Sequence, residues 1–501
     1  MIPFVRLARF ARVAGAATGL ALIAAACGDD EDGGDITNPP PVGGSDTVVV
    51  SGNITTSTNW TADKVYQLRG IVQVQNAATL TIAAGTKITG SPVADVANRV
   101  SALVIMRGAR IVANGSATQP IVFTSAAAGG ATAPRYPGDW GGLVIVGNAQ
   151  SSRSGRVTVE GPAPVDTIQW SGGNTDTDNS GSLRYVRVEF AGAAAVQDVE
   201  LNSFSFYAVG SGTRLEYLQA LFGLDDHFEW FGGTVDGRYL VSYEAGDDHF
   251  DTSEGYRGRN QFLIAVQSLR TALRPGAVGA VSSEQNGFEA DGCGSTSGTC
   301  PQGFNSTPYS MPVFANFTMV GPGAGVLTPR PGADGGLGAN IRRGTGGVWV
   351  NGVFARYPER AISMFQAETN TRFTEDSLDI RNIIFAENAA NYDPDDATNR
   401  YAQAAKFTDR GHVVHGGDAR SLFPGLFAAG AVPTTASLDF RPAAGTPAAT
   451  GGLNSFAGLP RIQARVNGFP YTGGLVATAY AGAVAPGGEQ WYAGWTNYAR
   501  Q

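Results

Sequence analysis

The chain is poor in charged residues and has no basic excess. Only 16% of its 501 residues are charged, whereas glycine occurs 68 times, and this composition favours tight turns over long solvated helices. The formal net charge of −8 becomes −11 when residues 1–26, which contain three arginines and no acidic residue, are removed. A negative charge of this size argues against nucleic acid or anionic lipid as a partner and is compatible with metal cations or neutral glycans. The hydrophobic content of 43% excludes a chain that is disordered throughout.

Side chains that commonly perform catalysis are scarce as well. Lysine occurs only at Lys64, Lys87 and Lys406, so proton abstraction near the histidine-containing motifs described below would depend on an arginine. No serine has the sequence context of a nucleophile elbow. The sequence therefore offers little support for nucleophilic catalysis.

The first 27 residues have the composition of an export signal. Arg6, Arg9 and Arg12 precede an apolar run over 13–26, which is too short to span a bilayer as a stable helix. The run ends in LIAAACGDD, which resembles the cleavage box of bacterial lipoproteins, where the cysteine after the small residues carries the lipid. The resemblance implies lipidation at Cys27 and a place in the cell envelope, anchored to the outer membrane on its periplasmic or outer surface. An ordinary secretory signal is the alternative.

An acidic segment rich in glycine and proline follows over 28–46. It has no apolar periodicity, which is typical of a flexible tether. Much further along, Cys293 and Cys300 enclose the short polar loop CGSTSGTC. In an oxidising compartment this pair predicts a disulfide, whereas the alternative, a two-thiol metal site, lacks further ligands nearby.

Short apolar segments recur along the chain and indicate a repeat architecture. LTIAAGTKITG, from Leu80, aligns with LVIMRGARIVA, from Leu103, at an offset of 23. Similar segments open at Leu183, Leu215 and Gly237, at offsets of 32 and 22. Equivalent positions form predicted columns, namely Tyr185, Tyr217 and Tyr239; Val186, Leu218 and Leu240; and, more weakly, Asn316, Asn351 and Asn382. Period-2 strands separated by Gly, Asn and Asp turns predict an all-β chain, a parallel β-helix over 47–445.

The segments GTKITG, PIVFTS and GDWGGLVIVG are similar to the coils of right-handed parallel β-helix proteins, the fold of pectate lyases, other polysaccharide lyases and many bacterial surface proteins. YVRVEFAG, DDHFEWFGG, NIRRGTGG and EQWYAGWTNY resemble a group of β-helical bacterial envelope lipoproteins. The resemblance implies a right-handed parallel β-helix but says little about activity, since this fold carries many functions. The irregular, aromatic-rich segment 446–501 is predicted to be a C-terminal cap over the last coil, because an uncovered edge would invite aggregation.

The string DDHF occurs twice, 22 residues apart, and each copy is followed by an acidic residue. If both copies are extended strands in neighbouring coils, Asp226 and Asp248 share a face with Phe228 and Phe250, and both phenylalanines point inward. The opposite face then carries a predicted grid of Asp225 over Asp247, His227 over His249, and Glu229 over Asp251.

Stacked carboxylates one coil apart repel each other unless they share protons or a cation lies between them. The grid therefore predicts a divalent-cation site, in which carboxylates alone suit Ca²⁺ and added imidazole suits Zn²⁺, Mn²⁺ or Ni²⁺. Polysaccharide lyases of this fold often hold Ca²⁺ on acids from adjacent coils, and the resemblance implies a similar position. A ladder of acids that only accept backbone N–H groups is the alternative.

A third string, NGFEADG, repeats the acidic pattern without histidine. Its Glu289 and Asp291 are predicted to extend the acidic column by one coil. Arg257 and Arg259 lie between the second and third strings, where we expect either of them to neutralise the column or to bind an acidic sugar.

Together these features favour a lipid-anchored, extracytoplasmic β-helix that binds or displays a partner, either polysaccharide or another surface protein, with no catalytic residues assigned. A polysaccharide lyase or glycoside hydrolase acting on acidic polysaccharide is the alternative. That alternative requires an open groove along the two DDHF strings, with an arginine or lysine placed as the base.

Overall fold

The structure is a computed structural model. It describes residues 46–92, 100–161, 168–196, 199–282, 285–294, 299–326, 335–431, 433 and 438–500. The predicted signal peptide, the predicted lipidation residue Cys27 and the predicted tether up to residue 45 lie outside these residues. Among the described residues, no helix combines the length and the apolar character that crossing a bilayer requires.

Short β-strands make up most of the described chain. The first half contains β1 (Thr47–Val50), β2 (Thr58–Trp60), β3 (Val65–Leu68), β4 (Ile71–Val74), β5 (Thr79–Ile82), β6 (Lys87–Gly90), β7 (Ala102–Ile105), β8 (Arg110–Asn114), β9 (Ile121–Ser125), β10 (Gly142–Val146), β11 (Val157–Thr158), β12 (Gln169–Trp170), β13 (Gly181–Glu189), β14 (Ala194–Val196), β15 (Val199–Glu200) and β16 (Phe204–Tyr207). The second half contains β17 (Arg214–Leu221), β18 (Phe228–Phe231), β19 (Asp236–Tyr243), β20 (Phe250–Ser253), β21 (Arg259–Val266), β22 (Phe288–Ala290), β23 (Val313–Val320), β24 (Leu337–Ile341), β25 (Gly347–Ala355), β26 (Arg360–Met364), β27 (Leu378–Ala386) and β28 (Val413–His415).

Nearly all of these strands belong to two parallel sheets. The larger sheet has 15 strands in the order β1-β3-β6-β9-β13-β17-β19-β21-β23-β25-β27-β28, with β2, β5 and β8 joined beside this path. The smaller sheet has nine strands in the order β26-β24-β22-β20-β18-β16-β10-β7-β4. From β16 to β27 the chain alternates between the two sheets, one strand in each per coil. The predicted parallel β-helix is confirmed.

Aromatic side chains fill the centre of the coils. Phe204, Phe228, Phe250 and Phe288 stack in successive coils, with ring centroids 4.9, 5.4 and 5.6 Å apart. All four rings are fully buried. The predicted inward orientation of Phe228 and Phe250 is therefore confirmed.

Each long strand of the larger sheet bends at one residue, and this residue is not paired with the neighbouring strand although the residues on both sides of it are. In three successive coils this residue is Tyr185, Tyr217 or Tyr239, with φ of 48°, 55° and 61°. Their rings stack with centroids 4.4 and 4.5 Å apart, so the predicted tyrosine column is confirmed. A left-handed conformation costs a residue other than glycine about 1–2 kcal/mol, and each stacked pair contributes about 0.5–1.5 kcal/mol in return. Later coils place Phe262, Asn316, Asn351 and Asn382 at the same position.

The predicted offset between Leu80 and Leu103 is wrong. Leu80 pairs with Ile111, and Leu103 pairs with Val72, so equivalent residues of these two coils are 31 apart. The early coils carry several short strands that all have the same pattern of apolar residues two apart followed by glycine. The similarity of Leu80 to Leu103 therefore relates strands from two different sides of the coil.

Short helices lie in the C-terminal part of the described chain. They are α1 (Ala367–Thr374), α2 (Ala419–Leu422), α3 (Pro447–Thr450) and α4 (Pro460–Val466).

The C-terminal segment from residue 438 runs along the side of the larger sheet, whereas the sequence predicted a cap over the last coil. Its Tyr471 hydroxyl contacts the backbone carbonyls of Leu215 and Asp236, both at 2.7 Å. Trp495 packs edge-on against Tyr185, with centroids 5.6 Å apart. The aromatic side chains of this segment thus cover the half-buried tyrosine column, and the burial of this apolar surface holds the segment in place.

Candidate functional site

The two DDHF strings lie at the same corner of neighbouring coils. Strands β18 and β20 begin only at Phe228 and Phe250, so the three residues before each phenylalanine lie in a bend. Phe228 pairs with Phe250, and Glu229 pairs with Asp251. The predicted stacking of Glu229 over Asp251 is confirmed.

Asp226 lies with the acidic residues and not with Phe228 as strand alternation predicted. One oxygen each of Asp226, Glu229 and Asp251 lie within 4.8 Å of one another. Alternation fails here because the backbone bends before the strand starts. Sequence reasoning therefore missed Asp226 as a candidate ligand, and the only signal for it was the nearby Gly223, which marks a turn.

The second aspartate of each string also belongs to a hydrogen-bonded ladder. Asp226 Oδ1 accepts the backbone N–H of Asp248 at 2.8 Å, and Asp248 Oδ1 accepts that of Asn286 at 2.6 Å. Asn286 Oδ1 then accepts the backbone N–H of Leu337 at 3.0 Å. The ladder holds the corners of successive coils in register, so one oxygen of each of these carboxylates has a structural role.

The histidines do not lie beside the carboxylates, which corrects the predicted grid. Gly223 donates its N–H to His227 Nε2 at 3.0 Å, so the ring carries its proton on Nδ1 and donates it to Ser242 Oγ at 2.6 Å. The Ser242 hydroxyl then donates to His249 Nδ1 at 2.5 Å. Burial lowers the pKa of His227 well below its usual range and that of His249 to about 3. Both rings are therefore neutral groups that join neighbouring coils.

The acidic residues line a cavity of about 440 Å³ on the outer side of the smaller sheet. Ten of its 16 lining residues carry a carboxyl group. The acidic lining residues are Glu160, Asp225, Asp226, Glu229, Asp247, Asp248, Asp251, Glu254, Glu289 and Asp291. Glu289 pairs with Asp251 in the adjacent strand, so the predicted extension of the acidic column by one coil is confirmed.

Burial makes ionisation of these carboxyls unfavourable. Asp226, Glu229 and Asp251 are only 7%, 5% and 8% exposed. Burial, followed by the neighbouring acids, raises the pKa of Asp226 and Glu229 well above their usual range. Burial, with a further contribution from Asp291, raises the pKa of Asp251 to about 8, and burial raises that of Glu254 to about 7. Near neutral pH, a cation is therefore needed to ionise Asp226, Glu229 and Asp251 together.

Three arginines neutralise the margins of the cavity. Arg342 Nε donates to Asp291 Oδ1 at 2.8 Å, and Arg343 Nη1 donates to Asp291 Oδ2 at 2.6 Å. Arg153 forms an ion pair with Glu254. In the described part of the chain, none of the three forms an ion pair with Asp226, Glu229 or Asp251. Arg342 still lowers the pKa of Asp251 through its charge, but burial outweighs this effect.

The arginines that the sequence pointed to are elsewhere. Arg257 pairs with Asp176 at 3.0 Å, and Arg259 pairs with Asp236 at 2.5 Å. Both follow the second string closely in sequence, but the chain has crossed to the larger sheet by then. The prediction that they neutralise the acidic column is wrong.

Some buried carboxylate oxygens have no hydrogen-bond partner among the described residues, and two of them bear on the cavity. They are Asp251 Oδ1 and Glu254 Oε2, and both residues line the cavity. Asp251 and Glu254 are 8% and 4% exposed. An unpaired buried carboxylate oxygen is unfavourable unless a proton or a ligand satisfies it. These two atoms therefore point to something that binds in the cavity.

The predicted disulfide between Cys293 and Cys300 is confirmed, with Cα atoms 5.8 Å apart. It lies at the edge of the cavity, since Gly292 and Gly294, on either side of Cys293, belong to the lining. Thr299, beside Cys300, accepts the backbone N–H of Ser154 at 2.7 Å. The disulfide thus fixes one wall of the cavity.

Comparison with known proteins agrees with this architecture. Residues 52–420 match the sequence model of a family described as a pectate-lyase like beta helix domain. No curated protein and no solved structure matches the chain significantly. The match covers well over half of the chain and spans the coils that form the two sheets and the acidic cavity. The chain belongs to the family of pectate-lyase-like β-helix domains.

Proposed function

We propose that the protein is a lipid-anchored, extracytoplasmic β-helix that binds a divalent cation in its acidic cavity. The observation that carries the proposal is Asp251 Oδ1, a buried oxygen without a partner among the described residues, in a cavity where ten carboxyl groups converge. A cation would satisfy this oxygen and relieve the repulsion between Glu229 and Asp251, which lie one coil apart. Its role would be to hold the middle coils together.

The ligand chemistry favours Ca²⁺. The side chains grouped at the cavity centre, Asp226, Glu229 and Asp251, offer only oxygen donors. Ca²⁺ takes six to eight oxygen ligands, whereas Zn²⁺ and Ni²⁺ are usually held with imidazole or thiolate. The Nδ1 atoms of His227 and His249 are both hydrogen-bonded to Ser242 Oγ, so these rings do not supply nitrogen ligands to the cavity.

The envelope location and the choice of partner rest on the sequence. The lipoprotein-like box ending at Cys27 supports an outer-membrane lipid anchor, and the net charge of −8 argues against nucleic acid. Polysaccharide or another surface protein is the partner class we propose for the sides of the coils. A covalent lipid on Cys27 is the anchor that this proposal requires.

Thermal unfolding of the full-length, chelator-treated protein tests the cation proposal. Ca²⁺, Mn²⁺ and Zn²⁺ are added singly, and a ligand at about 100 times its dissociation constant adds about 2.7 kcal/mol of stability. We expect Ca²⁺ to raise the midpoint and Asp251→Asn to make that rise markedly smaller. Asp376→Asn is the matched control, because Asp376 is 72% exposed and does not line the cavity. Equal midpoints with and without every cation would overturn the proposal.

A polysaccharide lyase or glycoside hydrolase acting on acidic polysaccharide is the second candidate. Arg343 favours it, since this arginine lines the cavity with 40% of its side chain exposed and is available to an acidic sugar. Incubation with polygalacturonate or alginate tests this candidate by the ultraviolet absorbance of unsaturated ends for a lyase and by new reducing ends for a hydrolase. Activity that is lost in Arg343→Gln would establish it, and no product from either polymer would count against it.

A further inference from the structure

The cavity contains two groups of carboxylates that share one residue. Asp226 forms an inner group with Glu229 and Asp251, and it forms an outer group with Asp225 and Asp247. Within each group, one oxygen of each residue lies within 4.8 Å of the others. We propose that the cavity binds two divalent cations and that the Asp226 carboxylate lies between them as a shared ligand. This inference rests on the proposed cation binding and extends it from one ion to a pair.

Asp226 is held in the position that sharing requires. Its Oδ1 accepts the N–H of Asp248 at 2.8 Å, which fixes the carboxylate in the bend before β18. A carboxylate has about four lone-pair positions, so this hydrogen bond leaves enough for two metal ions. In known two-metal sites the ions are about 3.5–4 Å apart, a separation that a single carboxylate spans.

Charge favours two ions over one. The two groups together contain five carboxyl groups, so a single divalent cation balances the charge of only two of them and a second balances that of four. Like charges at this proximity interact strongly when buried, and Asp226, Glu229 and Asp251 are each more than nine-tenths buried. The unpartnered Asp251 Oδ1 lies in the inner group, where it marks the position of the first ion.

The cavity has space for both ions. Its volume is about 440 Å³, and one water occupies about 30 Å³ in the liquid. Two Ca²⁺ ions need six to eight oxygens each, so several waters would complete coordination beside the five carboxylates. Asp225 and Asp247 are partly exposed, unlike the inner residues. The outer ion should therefore bind more weakly and exchange faster than the inner one.

Titration of the full-length, chelator-treated protein with Mn²⁺ tests the pair. We expect two Mn²⁺ per chain by equilibrium dialysis, and an exchange-coupled electron paramagnetic resonance spectrum that develops with the second equivalent. Asp251→Asn should retain only the outer ion, and Asp247→Asn only the inner ion. Both variants should lose the coupled spectrum while keeping a single-ion spectrum. Asp226→Asn should weaken both ions, and Asp376→Asn should behave as wild type.

The outcomes separate this inference from the single-cation proposal. One Mn²⁺ per chain would overturn the pair and leave the single site intact. Two ions without exchange coupling would overturn the shared carboxylate. No bound Mn²⁺ would overturn the pair, and it would overturn both proposals when Ca²⁺ also leaves the unfolding midpoint unchanged. Far-ultraviolet circular dichroism of each variant shows whether it is folded. If Asp247→Asn does not fold, Asp225→Asn tests the outer group in its place.

Discussion

Raising the pH should destabilise the cation-free protein through its buried carboxyls. Burial raises the pKa of Asp251 to about 8, above its ordinary value of 3.8. Because the folded-state pKa exceeds the unfolded one, this group stabilises the fold fully below about pH 4, and the stabilisation is lost as the pH rises through 8. The buried histidines act in the opposite direction, but most of their effect falls below pH 7, because it spans the interval from the folded pKa of His249, about 3, to the ordinary value of 6.5 in the unfolded chain.

The interval from pH 7 to pH 9 therefore isolates the carboxyls. At pH 7 the Asp251 carboxyl is protonated in the folded protein and ionised in the unfolded chain. While this difference of one proton persists, each unit by which the pH rises lowers the free energy of unfolding by about 1.4 kcal/mol. Since the pKa of about 8 lies inside the interval, Asp251 contributes a loss of about 1.4 kcal/mol between pH 7 and pH 9. Asp226 and Glu229, whose pKa values are also raised, add to the loss.

Urea unfolding in chelator at pH 7, 8 and 9, followed by tryptophan fluorescence, measures this effect. The free energy of unfolding should fall with pH, and the fall should be smaller by about 1.4 kcal/mol in Asp251→Asn, which has no carboxyl to titrate. Saturating Ca²⁺ should remove most of the trend, because the ion keeps these carboxyls ionised in the folded protein, and neither the folded nor the unfolded state then binds their protons. A wild-type stability that is flat or rising from pH 7 to pH 9, or a variant with the wild-type slope, would refute the reasoning.

Three further substitutions test other parts of the structure. Ser242→Ala should destabilise the protein by about 1–3 kcal/mol in urea unfolding, because it leaves two buried imidazole nitrogens unpaired, and should leave bound metal unchanged. Tyr217→Val should destabilise more than Tyr217→Asn by thermal unfolding, because asparagine tolerates the left-handed conformation at φ 55° and a β-branched residue does not; equal losses would contradict this. Cys27→Ser should abolish labelling by a fatty-acid analogue and release the protein from the membrane fraction, whereas labelling that persists would exclude lipidation at this residue.

Repetition made much of the fold predictable. Tyr185, Tyr217 and Tyr239 recur beside the same apolar neighbours, so their column follows from the sequence and holds in the structure. Where several strands in one coil have the same pattern, sequence similarity does not identify equivalent strands. For this reason the sequence around Leu80 resembles that around Leu103, although Leu80 pairs with Ile111 in the neighbouring strand.

The site was less predictable because it lies in a bend. Glu229 and Asp251 fall within strands, and their pairing follows from the two strings. Asp226 and His227 precede the strand, where alternation does not apply, and their orientation depends on backbone hydrogen bonds that the residue pattern does not contain. The neutralising arginines Arg342 and Arg343 come from a coil more than 90 residues further along the chain than the second string, and nothing in the local sequence links them to it.

The C-terminal segment along the side of the larger sheet changes how the protein should unfold. In a simple stack, each coil contacts only its neighbours, so the stack can open progressively from either end. In this protein Tyr471 and Trp495 contact coils more than 230 residues earlier in the chain, including those of Leu215 and Tyr185. These long-range contacts tie many coils to one segment, so that fraying at one end must also break contacts in the middle. Unfolding should consequently be cooperative over most of the stack, and folding should be completed only when this final segment docks.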